Sequence, residues 1–215
     1  MRDCSFRPPV ELLGTWVSLV PLRAEHRDDL RYAARDPEIL RYLAVGPGRT
    51  TEEMEAYIAL LLSRQEAGTD LPFTLVARED GRAVGMTRFI HIDRENDSVE
   101  IGGTWLDRTR WRSPLNTEAK FLMLRHAFEV EGAHRVWHQT DLRNERSQRA
   151  IARLGATREG VHRGDRVVQG GYHRSSVIYS VLADEWPRVR HRLERLLARS
   201  WAPAPGAAPD RGVSS

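Results

Sequence analysis

One cysteine, one lysine and no long apolar run set the first limits on this 215-residue chain. A lone Cys4 excludes an internal disulfide. Nothing approaches the ~20 consecutive apolar residues of a membrane-spanning helix, and the amino terminus lacks the basic-then-apolar pattern of a secretory signal, so a cytoplasmic protein with no membrane partner is expected. GxGxxG and GxxxxGK[ST] are both missing, which removes the best sequence support for dinucleotide folds and P-loop phosphoryl transfer. Lys120 is the single lysine among 33 basic residues, so the cations are almost all arginine, interleaved with 30 acids to leave a net charge of +3. Arginine favours planar, bidentate contacts to carboxylate and phosphate. No local basic block stands out, however, so a nucleic-acid partner is not expected.

What is present is an ordinary soluble composition, 40% apolar and 29% charged. One domain is expected over residues 12–199. A flexible lead-in, 1–11, precedes it, where Pro8 and Pro9 oppose regular structure, and a disordered tail rich in Pro, Gly and Ala, 200–215, follows.

Residues 99–131, VEIGGTWLDRTRWRSPLNTEAKFLMLRHAFEVE, organise the chain. They read as a buried strand ending in Trp105 and Leu106, a loop with Arg108, Arg110 and Arg112, and a helix. Leu115, Ala119, Leu122, Met123, Ala127 and Val130 share one helical face, and Gly132 ends it. Two starts fit: Ser113 as N-cap with Pro114 at the first helical position, or Asn116 as cap. A basic loop feeding a helix N-terminus suits an anion, because the first N–H groups are unpaired and the macrodipole is positive there. The reading is a coenzyme diphosphate site.

Around it, a strand near residues 16–22 precedes two helices. The first covers 25–43 with a break at Pro37, and the second opens at Thr50 or Thr51 and carries Met54, Tyr57, Ile58, Leu61 and Leu62. Strands at 73–78 and 82–92 pair through a turn containing Asp80-Gly81. A strand at 135–140, a short helix at 147–154 stopped by Gly155, strands at 156–160 and 175–182 around a loop at 164–171, and a last helix to about residue 199 complete the order. That order predicts a mixed α/β (α+β) sheet with helices packed on it.

The pieces EIGGTWL, RWRSPLNTEAK, LRHAFE, TDLRNERSQRAIARLGATREG and VIYSVLADEWP, in this order, resemble the GNAT superfamily of acyl-CoA-dependent N-acetyltransferases. More narrowly they resemble the branch of ribosomal-protein N-terminal alanine acetyltransferases. The resemblance implies the GNAT fold, a mixed sheet of about six to seven strands splayed open in the middle. It implies acetyl-CoA as co-substrate, no metal, an amine acceptor, and a homodimer as a common family state.

The resemblance also assigns residues. A backbone N–H near Trp105 or Leu106 would polarise the thioester carbonyl. The family's diphosphate loop, [QR]xxGx[GA], falls on Trp111, Pro114 and Asn116, and none of the three fits it. Pro114 has no N–H to offer. Asn116 and Thr117, with Arg110 and Arg112, are therefore expected to make up the contacts, beside Trp111, Ser113 and Leu115. Glu100 is the candidate base, or else a solvent-facing residue paired with an arginine such as Arg88. Position 151, where many members carry an acid tyrosine, is isoleucine. Ser147 is the substitute acid, or the N-cap of its helix. Asn144 contacts the pantetheine or adenosine side, or closes the loop as an Asx turn.

Free amine is the attacking species. A lysine-like amine with a pKa of ~10.4 is scarcely free at neutral pH, whereas an α-amine near ~8 is about a tenth free. An α-amine therefore needs a base less. Two other readings stay open: a transferase using a larger donor such as succinyl-CoA, and a non-catalytic module that senses acyl-CoA or docks RNA or protein through Arg188, Arg190, Arg192 and Arg195. Loops 45–49 and 164–171 would shape the acceptor cleft. His126, His134 and His138 come without HExxH, and Ser147 without GxSxG, so neither a metal site nor a hydrolase is read from them.

Overall fold

The computed structural model describes residues 6, 10–43, 46–48, 50–168 and 171–200, the last two of these by backbone alone. The expected tail, most of the lead-in and parts of loops 45–49 and 164–171 lie outside the described residues. Among the described residues, eight strands form one sheet: β1 (Leu12–Leu13), β2 (Val17–Pro21), β3 (Leu71–Ala77), β4 (Ala83–Asp93), β5 (Ser98–Leu106), β6 (Arg135–Asp141), β7 (Thr157–Val168) and β8 (Tyr172–Leu182). Their order is β1-β2-β3-β4-β5-β6-β8-β7, and all pairs are antiparallel except β5 with β6. The count exceeds the expected six to seven.

Alternation along the strands sends side chains to two helical layers. Val84, Phe89, Val99, Ile101 and Leu106 pack with α4 (Leu115–Arg125) and α6 (Trp186–Ser200). Ala83, Met86 and Trp105 pack on the other face with α1 (Arg27–Ala33), α2 (Pro37–Leu40) and α3 (Thr51–Glu66). Asp36 caps α2 by accepting from the Glu38 N–H, so the expected long first helix is broken where Pro37 lacks a donor. At α3, Thr50 and Glu53 form a reciprocal capping box.

Three expectations need correction. Val130 is 63% exposed, because the last turn of the central helix, His126–Val130, is a π turn that rotates it off the buried face. The loop at 164–171 is mostly strand: β7 and β8 form a long hairpin that absorbs Gly164, at φ +57°, as an irregularity in the register. The short helix α5 (Glu145–Leu154) is capped by Asn144, whose Oδ1 accepts from the Ser147 N–H at 3.1 Å; Ser147 is the third helical residue and not the cap.

Glu118 ties the centre of the fold together. Its carboxylate, buried at the start of α4, accepts from the N–H groups of Thr15, Trp16 and Val17 at 2.7, 2.7 and 2.8 Å. That clamp fixes the β1–β2 turn against α4. Within the lead-in, Phe6 is buried in the α4-side core, and its N–H donates to Glu131.

Candidate active site

β5 and β6 pair only at Ser98–Arg135, Val99–Val136 and Glu100–Trp137. Beyond Glu100 the two strands part, and His138 reaches across the start of the gap, its Nδ1 donating to the Ile101 carbonyl at 3.0 Å. This fixes the tautomer, because a carbonyl can only accept. The other nitrogen, Nε2, is buried without a hydrogen-bond partner among the described residues, and burial lowers the ring's pKa to about 3, so His138 stays neutral.

Glu100 stands where the strands separate. It is 2% exposed, and Arg88 does not pair with it but with Asp70 at 2.8 Å, so the solvent-facing alternative is set aside. Its Oε2 receives His91 Nδ1 at 2.7 Å and Gln139 Nε2 at 3.0 Å. Oε1 takes no partner among the described residues. It lies 2.7 Å from where a Cβ on Gly102 would be, so the carboxylate runs along β5 over a position that has no side chain. Gly103, at φ +58°, makes the matching room for Arg88. Beneath the sheet, Lys120 is fully buried with its Nζ on the hydroxyls of Thr87 and Thr104 at 3.1 and 2.5 Å. Burial lowers its pKa to about 7 against the opposing pull of Glu100.

β5 ends in the loop that the sequence marks out. Trp105 and Leu106 are buried, and the Leu106 carbonyl accepts from the Trp111 indole N–H at 3.0 Å. α4 begins at Leu115 with Pro114 in the cap position, one residue beyond the first expected start, and the Leu115 N–H points at the Ser113 hydroxyl at 3.4 Å. The N–H groups of Asn116 and Thr117 take no partner among the described residues. Two free donors at a helix start suit a diphosphate even with Pro114 in place. Arg112, in left-handed backbone at φ +63°, is exposed and makes no ion pair among the described residues, and Arg146 from α5 stacks 3.4 Å over the Trp111 ring.

Two expected contacts are occupied. Arg110 bonds Glu79 and Asp80, both at 2.6 Å, on the turn between β3 and β4, and would have to leave them to reach an anion. The Thr117 hydroxyl accepts from Arg153 at 2.8 Å, which ties the side chain to α5 while its backbone N–H stays available as a donor. The Asn144 oxygen is used as a cap, while the half-buried Ser147 hydroxyl has no partner among the described residues.

On the far side of the gap, a cleft of about 450 Å³ is lined by Tyr42, Pro47, Gly48, Asp141, Arg143 and Tyr172, among others. Both expected acceptor loops contribute to it or border it. Arg143 holds Asp141 through its Nε and Nη2 at 3.0 and 2.7 Å, and its guanidinium lies 3.6 Å over the Tyr172 ring. The arginines of α6 are largely paired: Arg190 with Glu129 and Glu194, Arg188 with Glu185, and Arg192 with the Arg153 carbonyl. Among the described residues no helix is long and apolar enough to cross a membrane.

Sequence reasoning gave no site role to His91, Gln139 or Lys120. Their contacts depend on strand register and on which helix face meets the sheet. The Gly102-Gly103 pair was the one local sign that large side chains lie over β5.

Residues 17–157 match the acetyltransferase (GNAT) domain family. No curated protein matches the chain. Among solved structures, a T. thermophilus protein described provisionally as an acetyltransferase is 40% identical, with a TM-score of 0.80 over 87% of this chain and 97% of that one. A GCN5-related N-acetyltransferase from Brucella melitensis is 28% identical, with a TM-score of 0.84 over 92% and 90%. Mycobacterium smegmatis RimJ, solved with CoA-disulfide, shares the fold at 22% identity and a TM-score of 0.73, over 83% of this chain and 88% of its own.

Proposed function

Because the chain belongs to the GNAT acetyltransferase family and is an enzyme of that family, we propose that it moves an acetyl group from acetyl-CoA to a primary amine by direct attack in a ternary complex. The observation that carries this reading is the Glu100 carboxylate, buried where β5 and β6 part, with both donors on Oε2 and with Oε1 unpartnered among the described residues.

Bound acetyl-CoA supplies an activated acyl carbon with a thiolate leaving group. The chain's residues do the rest. The Asn116 and Thr117 N–H groups hold the diphosphate end, with Arg112 as the nearby cation and Trp111 walling the loop under Arg146. Ser113 and Leu115 shape the turn, and the β5 backbone at Trp105 and Leu106 faces the acyl carbonyl. Glu100 Oε1 takes the proton of the attacking amine, directly or through a water, as the N–C bond forms and the C–S bond breaks. Ser147 or water returns a proton to the sulfur, whose thiol-like pKa of about 8.5 makes little demand on the donor. Asn144 turns its remaining amide group toward the pantetheine side. An α-amine, as on a protein N-terminus, suits this modest machinery better than a lysine side chain.

Calorimetric titration with acetyl-CoA, CoA and succinyl-CoA tests the coenzyme site. Micromolar binding of acetyl-CoA that weakens in Arg112→Ala is the expected result, and tighter succinyl-CoA binding would move the donor assignment. Thiol release with an amine panel tests the chemistry. An unchanged rate in Glu100→Gln would overturn the base.

A further inference from the structure

Glu100 owes its orientation to side chains on two neighbouring strands. His91 lies on β4 in left-handed backbone, at φ +50°, a conformation that a residue with a Cβ adopts only when its surroundings demand it. Its ring stacks on Trp137 of β6, with centroids 5.6 Å apart and planes 7° from parallel. Held there, it places Nδ1 2.7 Å from Glu100 Oε2. A carboxylate only accepts, so Nδ1 carries the hydrogen. Gln139 is fixed as well: its amide oxygen accepts from Arg166 at 2.9 Å, which turns its NH2 toward the same Oε2.

We infer that His91 is a positioning residue for acyl transfer: with Gln139 it occupies Oε2 of Glu100, leaves Oε1 as the atom that receives the amine proton, and through its own protonation state sets how strong a base that atom is. This rests on the reading of Glu100 as the base. Imidazolium beside the carboxylate stabilises its charged form and weakens it as a proton acceptor, whereas neutral imidazole keeps the hydrogen bond and removes the charge. The ring can exchange its proton with solvent, because its side chain is 58% exposed while Glu100 is 2% exposed. The charged groups facing His91 are Glu100 on β5, Arg166 on β7 and Asp70 just before β3; Trp137 is neutral. The hydrogen bond to Glu100 dominates and raises the ring above its ordinary value of 6.5, with Arg166 opposing and Asp70 assisting. The base therefore strengthens as rising pH takes the proton from His91.

The test compares the pH dependence of kcat/KM for thiol release from acetyl-CoA in wild type, His91→Gln, His91→Ala and Glu100→Gln, using the best acceptor of an amine panel. Taking wild type over His91→Gln at each pH cancels the acceptor's own titration. That ratio is expected to climb about tenfold as rising pH removes the His91 proton, a fraction of the ~10²–10⁴-fold that general-base catalysis contributes. Added imidazole should raise the rate of His91→Ala. A flat ratio without rescue, while Glu100→Gln is impaired, would overturn the inference and leave the base reading intact. An unimpaired Glu100→Gln would remove both. Nuclear magnetic resonance titration of His91 gives a readout independent of turnover: its pKa should fall toward 6.5 in Glu100→Gln. An unchanged titration there would also overturn the inference.

Discussion

Lys120→Met reverses the usual expectation for deleting a charged residue that makes hydrogen bonds. The ammonium is fully buried with two threonine hydroxyls as partners, and desolvation pulls its pKa from 10.5 to about 7, with Glu100 opposing. The folded value lies below the unfolded one, so between about 7 and 10.5 the unfolded chain binds the extra proton and stability rises with pH. Below that window the burial penalty is fully expressed. At about 1.4 kcal/mol per pH unit the window amounts to roughly 5 kcal/mol, an upper figure because relaxation and entering water soften it. Methionine fills nearly the same volume without a charge, and the Thr87 and Thr104 hydroxyls, 2.8 Å apart, can satisfy each other. Urea unfolding in half-unit steps of pH should show the variant more stable than wild type near pH 6.5 by about 3 kcal/mol or more. The gap should close at about 1 kcal/mol per pH unit toward alkaline pH. Parallel curves for the two proteins would refute the reasoning, since they would mean that the amine is no harder to charge in the fold than in water.

Three further outcomes are expected. Glu118→Ala strands three backbone N–H groups and should lower stability by about 3–5 kcal/mol, read by urea unfolding, with Glu118→Gln falling between it and wild type. Gly102→Ala would place a Cβ 2.7 Å from Glu100 Oε1 and 2.8 Å from Ile90 Cδ1; thiol release should drop about 100-fold with acetyl-CoA affinity unchanged by calorimetry. Asn144→Ala removes the α5 cap and should reduce stability by about 1 kcal/mol in the same unfolding assay.

The elements that the sequence made legible are those whose cause is local. Leu115, Ala119, Leu122, Met123 and Ala127 repeat at helical spacing and are buried together. The Asp80-Gly81 turn and the Thr50/Glu53 box need only neighbouring residues, and both formed. Elsewhere one local rule hid a distant partner. Glu118 looks like a residue answering the helix dipole, yet its carboxylate is held by N–H groups about a hundred residues away in the chain. Gly164 looks like a loop and sits inside a hairpin. Arg110 belongs to the anion loop by position, but Glu79 and Asp80 reach it first. The pairing of Glu100 with His91 follows from the register of β4 against β5, which neither strand's residues encode alone.

The three-pair contact between β5 and β6 also bears on how the molecule assembles. Strands β1 to β5 follow one another in sequence and in space, and β6, β7 and β8 form a second contiguous group. Most neighbours within each group are joined by a short connection or hairpin, so the entropy of closing loops is small there; the exceptions are the helical excursion between β2 and β3 and the β6–β8 pair, which closes over α5 and β7. The parallel rungs at residues 98–100 and 135–137 can form only after α4 has spanned the interval and laid the second group beside the first. Each half can thus gather its own contacts early. Docking of one half on the other then falls on the seam whose incomplete zippering leaves the opening beside Glu100.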